Sequence, residues 1–266
     1  GFHLSKLLLT EGHEVHGYDG MTDYYDVNLK QARHKLLENF SNFTNTVGML
    51  EDHKLLYDDF KKFNPDVVIH LAAQAGVRYS LENPRAYIES NIVGTFNIME
   101  AARKNSIKHL LMASTSSVYG ANQNMPFDEC DKADTQLTIY AATKKANENM
   151  AHSYAYLHKL PTTMFRFFTV YGPWGRPDMA LFKFTKQILN NDEIDIYNNG
   201  EMYRDFTYVD DLVNGIRLLI DAIPETGKSL CKTDSISPVG PYRVVNIGNS
   251  KKIKLLDFID AIESEL

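Results

Sequence analysis

A tyrosine and a lysine four positions apart are residues whose types and spacing could perform acid–base chemistry. Tyr140 and Lys144, in the segment YAATKKAN, would lie on the same face of a helix. A phenol has an unperturbed pKa of about 10, but an ammonium group beside it favours the phenolate. The pair could then remove a proton from a hydroxyl group near neutral pH. The same spacing also fits a surface tyrosine packed along a lysine stem.

Four consecutive hydroxyl residues precede this pair. The segment LLMASTSSVYG (110–120) predicts an apolar strand that ends in Ser114, Thr115, Ser116 and Ser117. Ligands of open α/β sheets bind beyond the carboxyl ends of the strands. Hydroxyl groups there could donate to a developing oxyanion and relay a proton to the phenolate. A Ser/Thr-rich turn that caps a helix is the alternative, although the combination with Tyr-x-x-x-Lys favours the catalytic interpretation.

An aspartate at the end of an early strand indicates a nucleotide cofactor. Asp19 follows the segment EVHGY, where dinucleotide-binding proteins place the acid that binds the ribose hydroxyls of NAD. The next residues, GMTDYYD, contain no arginine for the extra phosphate of NADP, so NAD is favoured. A simple turn aspartate is the alternative, because the first two glycines of the fingerprint would have to precede Gly1.

Alternating strand and helix patterns must position these residues. Strands are predicted at 13–19, 44–49, 65–72, 108–114 and 161–168, and helices at 2–11, 26–40, 51–63, 84–104 and 137–159. This alternation predicts an α/β fold with a doubly wound parallel sheet. Beyond residue 168 we expect a smaller α/β lobe, with helices at 179–190 and 210–222 and strands at 194–197, 203–208 and 243–247. The predicted domains are 1–168 for the cofactor and 169–266 mainly for the substrate, with interleaved segments.

The two ends of the sequence suggest a longer protein. Gly1 is followed at once by an amphipathic helix that leads into the strand at 13–19, so the first, central strand and its glycine-rich turn should come before it. The sequence ends in a further helical segment, LLDFIDAIESEL. We therefore expect the chain to be an excerpt that lacks the first strand of its sheet.

Composition excludes several classes of function. The chain has 34 acidic and 28 basic residues, for a net charge of −6, which argues against a nucleic-acid partner. Its two cysteines, Cys130 and Cys231, form no CxxC pair, and the nine histidines form no metal-binding pattern. No apolar run is long enough to span a membrane. These features predict a soluble cytoplasmic protein without a metal.

The combined motifs resemble the extended short-chain dehydrogenase/reductase family, which contains nucleotide-sugar epimerases and dehydratases. The similarity covers GFHLSKLL, VIHLAAQAGVRYS, NIVGTFNIMEAA, STSSVYG, YAATKKANE and YRDFTYVDD. It implies a Rossmann-like fold, bound NAD and catalysis by Tyr140, Lys144, Thr115 and Ser117. The residues that it implies for cofactor binding are Gly1, Asp19, Lys30, Leu71, Ala72, Ala73, Asn91, Ser114, Tyr140 and Lys144.

Two further segments indicate the reaction and the substrate. Ser116 follows Thr115 where dehydratases of the family usually have an acidic residue, which disfavours dehydration. The segments YYDVNLKQAR (24–33) and YGPWGRPDMA (171–180) resemble the 4-epimerases that interconvert UDP-glucuronate and UDP-galacturonate. Arg176 would then bind the sugar carboxylate with help from Thr169, and Arg204 would bind the UDP diphosphate. The resemblance implies substrate contacts from Arg78, Ser116, Thr169, Arg176 and Arg204.

Other assignments stay open at this point. The chain could be a 4-epimerase of neutral or N-acetylated UDP-hexoses, a UDP-glucuronate decarboxylase or a non-catalytic nucleotide-sugar-binding protein. Relatives commonly dimerise through the helices that correspond to 84–104 and 137–159, so a homodimer is expected. The apolar residues of these helices would also suit packing on the sheet.

Overall fold

The computed structural model describes residues 1–196 and 200–266. Most of its strands are short. Their bounds are β1 Val15–Asp19, β2 Phe43–Val47, β3 Val67–His70, β4 His109–Thr115, β5 Thr162–Phe167, β6 Thr169–Tyr171, β7 Tyr203–Arg204, β8 Phe206–Tyr208, β9 Tyr242–Ile247 and β10 Ile253–Lys254. The main sheet has four parallel strands in the order β3-β4-β5-β9. β1 pairs with β2 and β6 with β8, both in parallel, whereas β7 and β10 are antiparallel. The prediction of an α/β fold with a parallel sheet is confirmed.

Helices connect these strands in the order expected for crossover connections. Their bounds are α1 Phe2–Thr10, α2 Val27–Leu37, α3 His53–Phe63, α4 Tyr79–Glu82, α5 Pro84–Tyr87, α6 Thr95–Lys104, α7 Ile139–His158, α8 Ala180–Asn190, α9 Val209–Asp221 and α10 Leu255–Glu265. α5 continues into α6 through a π-helical segment, Ile88–Gly94, so that one helical run spans 84–104. No helix among the described residues has both the length and the apolar character needed to cross a membrane.

Helices cover both faces of the main sheet. Along β4, Leu110 and Met112 face a core that α3, α6 and α7 complete. Their neighbours Leu111 and Ala113 face a second core, built with α1 and α9. Because side chains alternate between the faces of a strand, a sheet buried on both sides needs an apolar residue at every position. This explains why β4 is apolar at every position from Leu110 to Ala113, between His109 and Ser114.

The part of the chain beyond residue 168 differs most from the prediction. No strand forms at 194–196, and the remaining residue of that predicted strand, Tyr197, lies outside the described residues. The strand predicted at 203–208 is two short strands, β7 and β8, separated by Asp205. The sequence patterns did not predict β6 or α4. α9 packs on the main sheet, and β9 is an edge strand of that sheet. This part of the chain therefore contributes directly to the main sheet.

Candidate active site

The carboxyl ends of the parallel strands carry the residues whose chemistry the sequence suggested. β4 ends at Thr115 and β1 at Asp19, while β3 ends at His70, just before residues 71–73. α7 begins close to this edge, where the Thr138 side chain accepts a hydrogen bond from Ala141 N at 3.2 Å and caps the helix. This cap fixes the first turn of α7, which contains Tyr140.

Tyr140 is partly buried and lies against the end of β4. Burial raises the pKa of its phenol, while a hydrogen bond with Thr115 and the positive charge of Arg176 oppose that rise. The sequence spacing suggested that an adjacent ammonium would lower this pKa, but desolvation outweighs the contacts that favour the phenolate. The geometric expectation holds, since Thr115 and Tyr140 do meet.

Lys144 is buried one turn further along α7. Burial lowers the pKa of its ammonium to about 8, against the opposing effect of the Glu148 carboxylate. His70 lies nearby, and burial together with the charge of Lys144 lowers the pKa of its imidazole to about 3. His70 Nε2 is 2.9 Å from Thr95 Oγ1 on α6. A neutral imidazole therefore lies beside the lysine, and the positive charge in this buried region belongs to Lys144.

A buried carboxylate joins α7 to the two strands beneath it. Glu148 accepts hydrogen bonds from Arg166 Nε and Nη2, both at 2.9 Å, from Ser114 Oγ at 2.6 Å and from Lys145 Nζ at 2.9 Å. The Ser114 hydroxyl therefore supports α7, and Thr115 is the hydroxyl that reaches Tyr140.

The π-helical segment presents Asn91 to the loop after β3. Its side chain accepts a hydrogen bond from Gln74 N at 2.8 Å and donates to Gln74 O at 3.1 Å and to Thr143 Oγ1 at 3.1 Å. Thr143 precedes Lys144 on α7. Asn91 therefore fixes the loop after β3 relative to the helix that carries the tyrosine and the lysine.

The hydroxyl residues after β4 form a short turn. Ser116 and Ser117 begin a 3-10 helix, and Thr115 Oγ1 accepts a hydrogen bond from Ser117 N at 3.2 Å. Both serines are partly buried. The capping role that was the alternative interpretation is thus present, and Thr115 combines it with the contact to Tyr140.

A second group of predicted residues surrounds the end of β1. Asp19 Oδ1 accepts a hydrogen bond from Met21 N at 2.8 Å. The buried Lys30 donates to Thr22 O at 2.6 Å, and burial lowers the pKa of its ammonium against the opposing charge of Asp19. Gly1 is exposed at the N-terminus of α1, and residues 71–73 are exposed or partly buried in the loop after β3.

The remaining predicted residues belong to the second part of the chain or lie near it. Arg176 forms a two-pronged ion pair with Asp178, and both side chains are partly buried. Thr169 begins β6 and donates its N–H to Asp205 O at 2.9 Å. Arg204 is exposed on β7, and Arg78 is exposed immediately before α4.

Sequence reasoning missed several residues that shape the site. His70 and Glu148 lie near Lys144, Thr95 contacts His70, and Asp178 and Tyr24 hold Arg176. Glu148 had a usable signal, because it follows Lys144 by one helical turn. The contact between Tyr24 and Asp178 joins residues 154 positions apart, and no local pattern indicates it.

Comparisons with known proteins agree with this geometry. The family model of the NAD dependent epimerase/dehydratase family matches residues 1–248. A probable UDP-glucuronate 4-epimerase of Rhizobium meliloti (strain 1021) is 54% identical over 266 residues, which are 99% of this chain and 78% of that protein. The crystal structure of UDP-glucuronic acid 4-epimerase from Bacillus cereus in complex with UDP-glucuronic acid and NAD aligns with a TM-score of 0.85 and 32% identity, over 99% of this chain and 79% of that one.

A neighbour of different specificity aligns almost as well. The UDP-glucose 4-epimerase of Thermotoga maritima, solved with UDP-glucose, gives a TM-score of 0.83 at 25% identity and covers 99% of this chain and 78% of its own. The fold therefore does not by itself separate uronates from neutral sugars. Since the family model covers most of the sequence and the relative in Rhizobium shares more than half of the aligned residues, this chain belongs to the NAD dependent epimerase/dehydratase family.

Proposed function

We propose that this protein is a UDP-glucuronate 4-epimerase, which interconverts UDP-glucuronate and UDP-galacturonate with bound NAD. The observation that carries the proposal is Arg176, which an ion pair with Asp178 holds in place and whose charge acts on the phenol of Tyr140. A fixed cation beside an acid–base group suits a sugar with a carboxylate next to its reacting carbon. The relatives named as UDP-glucuronate 4-epimerases support the same assignment.

The residues around the sheet edge fit a dinucleotide. Asp19 is exposed at the carboxyl end of β1, where a carboxylate can accept hydrogen bonds from ribose hydroxyls. Asn91 satisfies both backbone groups of Gln74 and so fixes the loop that would pass the cofactor. The residues that we assign to the cofactor are Gly1, Asp19, Lys30, Leu71, Ala72, Ala73, Asn91, Ser114, Tyr140 and Lys144. When bound, NAD supplies the hydride acceptor and donor that epimerisation at carbon 4 requires.

The chain's own residues then perform the proton transfer. The phenolate oxygen of Tyr140 takes the proton from the sugar 4-hydroxyl as that carbon is oxidised, and returns it when the 4-keto sugar is reduced on its opposite face. Lys144 favours the phenolate through its charge. Thr115, with Ser117, donates a hydrogen bond to the oxygen on which negative charge develops. Tyr140 is thus returned to its starting protonation state in each cycle, and no acid or base is consumed.

Arg176 serves binding and also protects the intermediate. A guanidinium can bind a carboxylate through two parallel hydrogen bonds, and a charge-assisted contact of this kind contributes about 1.5–3 kcal/mol. Holding the carboxylate rigidly also keeps its C–C bond out of alignment with the adjacent ketone, which disfavours loss of carbon dioxide. We assign substrate contacts to Arg78, Ser116, Thr169, Arg176 and Arg204.

Product analysis tests the proposal directly. The protein, purified with its bound nucleotide, is incubated with UDP-glucuronate without added NAD, and the products are separated by anion-exchange chromatography. We expect UDP-galacturonate from the protein and from the control Tyr154→Phe, but none from Tyr140→Phe. A UDP-pentose with released carbon dioxide would indicate a decarboxylase, and conversion of UDP-galactose or UDP-N-acetylglucosamine instead would contradict the uronate assignment.

The association state and setting form the last part of the proposal. We propose a homodimer, because the helical run 84–104 and α7 expose apolar side chains on their outer faces. These are Ile88, Val93, Phe96, Tyr156 and Leu157. Light scattering should give twice the mass of one chain, and Phe96→Glu should reduce the measured mass to that of one chain.

We further propose that residues 1–168 form the cofactor domain and that residues 169–266 form mainly the substrate domain. We also propose that the protein acts in the cytoplasm, without nucleic acid or membrane partners, and supplies sugars for polysaccharide biosynthesis.

A further inference from the structure

Arg176 already has a protein carboxylate on one of its edges. Its Nε donates to Asp178 Oδ1 at 3.0 Å and its Nη2 donates to Asp178 Oδ2 at 2.7 Å. A guanidinium can grip one carboxylate with Nε and Nη2 and another with Nη1 and Nη2. Among the described residues, Nη2 also approaches Met179 Sδ at 3.8 Å, and Nη1 donates no hydrogen bond. The Nη1–Nη2 edge therefore remains for a ligand.

Asp178 is held in turn by a residue from the other end of the chain. Tyr24 OH donates to Asp178 Oδ2 at 3.2 Å, and the Tyr24 ring lies 5.7 Å from Arg176 Cζ. Tyr24 belongs to the segment between β1 and α2 and also packs on Tyr79, with ring centroids 5.0 Å apart. It therefore restrains the ion pair from a different element, and Asp178 cannot turn away from Arg176 without losing that contact.

The backbone beside Arg176 is tied to the same region. Arg33 Nη2, on α2, donates to Trp174 O at 2.6 Å and to Gly175 O at 3.1 Å. Trp174 has φ 58°, in the left-handed region that a bulky side chain adopts only when its surroundings hold it there. Arg33 thus holds the loop backbone, as Tyr24 holds the side-chain pair.

This restraint affects how strongly Arg176 can bind a ligand. A free arginine side chain loses rotamer freedom when it grips a carboxylate, and that loss weakens binding. An arginine already fixed by Asp178 has lost this freedom before the ligand arrives. A neutral sugar gains nothing from the arrangement, because it offers no carboxylate to the second edge.

We propose that Asp178, held by Tyr24, is a positioning residue that fixes Arg176 for a substrate carboxylate and so sets the preference for uronates over neutral sugars. The inference rests on the proposed function, and it concerns residues that do not themselves touch the sugar. It predicts that the preference for uronates is lost when the ion pair is broken, although Arg176 itself is retained.

Binding measurements with two matched ligands test this role. UDP-glucuronate and UDP-glucose differ only in a carboxylate against a hydroxymethyl group, and calorimetry gives a dissociation constant for each. We expect Asp178→Asn to reduce the preference for UDP-glucuronate by about 10–30-fold. Tyr24→Phe should reduce it by about threefold, and neither change should alter UDP-glucose binding. Two control variants should leave the preference unchanged. Asp221→Asn removes a carboxylate that pairs with Arg217, and Tyr154→Phe removes a hydroxyl group that donates to Glu100.

The outcomes separate this inference from the proposed function. If the unmodified protein shows no preference for UDP-glucuronate, the proposed function itself fails. If it shows one, tighter binding of UDP-glucuronate by Asp178→Asn would mean that Asp178 competes with the ligand, and the inference is overturned. An equal loss of affinity for both ligands would indicate a general structural role of Asp178 and would also overturn the inference. In an Arg176→Ala background, Asp178→Asn should have no further effect on the preference, and an additional loss there would contradict a role exerted through Arg176.

Discussion

Removing the charge of Glu148 should destabilise the protein severely. Glu148 has 1% of its side chain exposed and Arg166 has 3%, so Glu148→Gln leaves a guanidinium buried without its counterion. Breaking one side of a buried ion pair typically costs about 3–5 kcal/mol, because the remaining charge stays desolvated. The contacts of Arg166 with Glu129 O, at 3.3 Å, and with the face of Tyr119 compensate only in part, which favours the lower half of this range.

Urea denaturation of the variants measures this cost. We expect Glu148→Gln and Arg166→Met each to lower the free energy of unfolding by about 3 kcal/mol. The double variant should lose much less than their sum, since it buries neither charge, and the coupling should approach about 3 kcal/mol. Glu225→Gln is the matched control, because its pair with Lys228 is 65% and 63% exposed and should contribute less than about 0.5 kcal/mol.

The pH dependence provides an independent check on the same ion pair. Burial alone would raise the pKa of the Glu148 carboxyl, but Arg166, Lys145 and Ser114 hold it below its ordinary value of 4.5. A carboxyl whose pKa is lowered by folding stabilises the protein above its unfolded pKa, and this contribution disappears as the pH falls through the folded value. The difference between the protein and Glu148→Gln should therefore shrink below pH 4.5. A cost under about 1 kcal/mol at pH 7 would refute the view of Glu148 as a fully desolvated counterion.

Three further variants examine the site. Tyr140→Phe should lower kcat by about 10²–10⁴-fold, with little change in the affinity for UDP-glucuronate measured by calorimetry; a loss under tenfold would exclude it as the acid–base group. Burial lowers the pKa of Lys144 from 10.5 to about 8, so its contribution to stability rises with pH between these values by about 3 kcal/mol. Urea titrations should lose this rise in Lys144→Met, and an unchanged slope would contradict it. Asn91→Ala should destabilise the protein by about 2 kcal/mol, and thermal unfolding that matches the unmodified protein would show that its three hydrogen bonds are replaced.

Local patterns predicted three strands of the main sheet, β3, β4 and β5, and the helix that carries Tyr140 and Lys144, but they assigned β9 to a separate lobe. The middle of β4, from Leu110 to Ala113, is buried on both faces and apolar at every position, so this strand and the hydroxyl residues that follow could be predicted from sequence. Tyr140 and Lys144 depend only on the helical repeat and on the rule that ligands bind at the carboxyl ends of strands. Short elements such as β6 carry too few residues for a periodic signal, and the strand predicted at 161–168 ended just before β6 begins.

Properties that depend on desolvation or on distant contacts could not be predicted in this way. The residue spacing indicated that a cation could lie near Tyr140, but the raised pKa of its phenol comes from burial that only the folded chain defines. The neutral imidazole of His70 likewise depends on burial among residues from β3, α6 and α7. Sequence patterns therefore identified which groups are present, whereas their protonation states required the packed structure.

The position of Arg176 depends more on contacts between distant segments than the positions of Tyr140 and Lys144 do. Tyr140, Lys144 and Thr115 lie on α7 and β4, which the packed core holds, but Arg176 lies on a loop rich in glycine and proline. Such a loop has little packing of its own, and an arginine side chain carries about 2 kcal/mol of rotamer entropy. A precise carboxylate contact there requires restraints from elsewhere, and Tyr24, Arg33 and Asp178 provide them. The two segments that indicated a uronate substrate in the sequence, 24–33 and 171–180, are thus in direct contact, and this contact fixes the position of the Arg176 guanidinium.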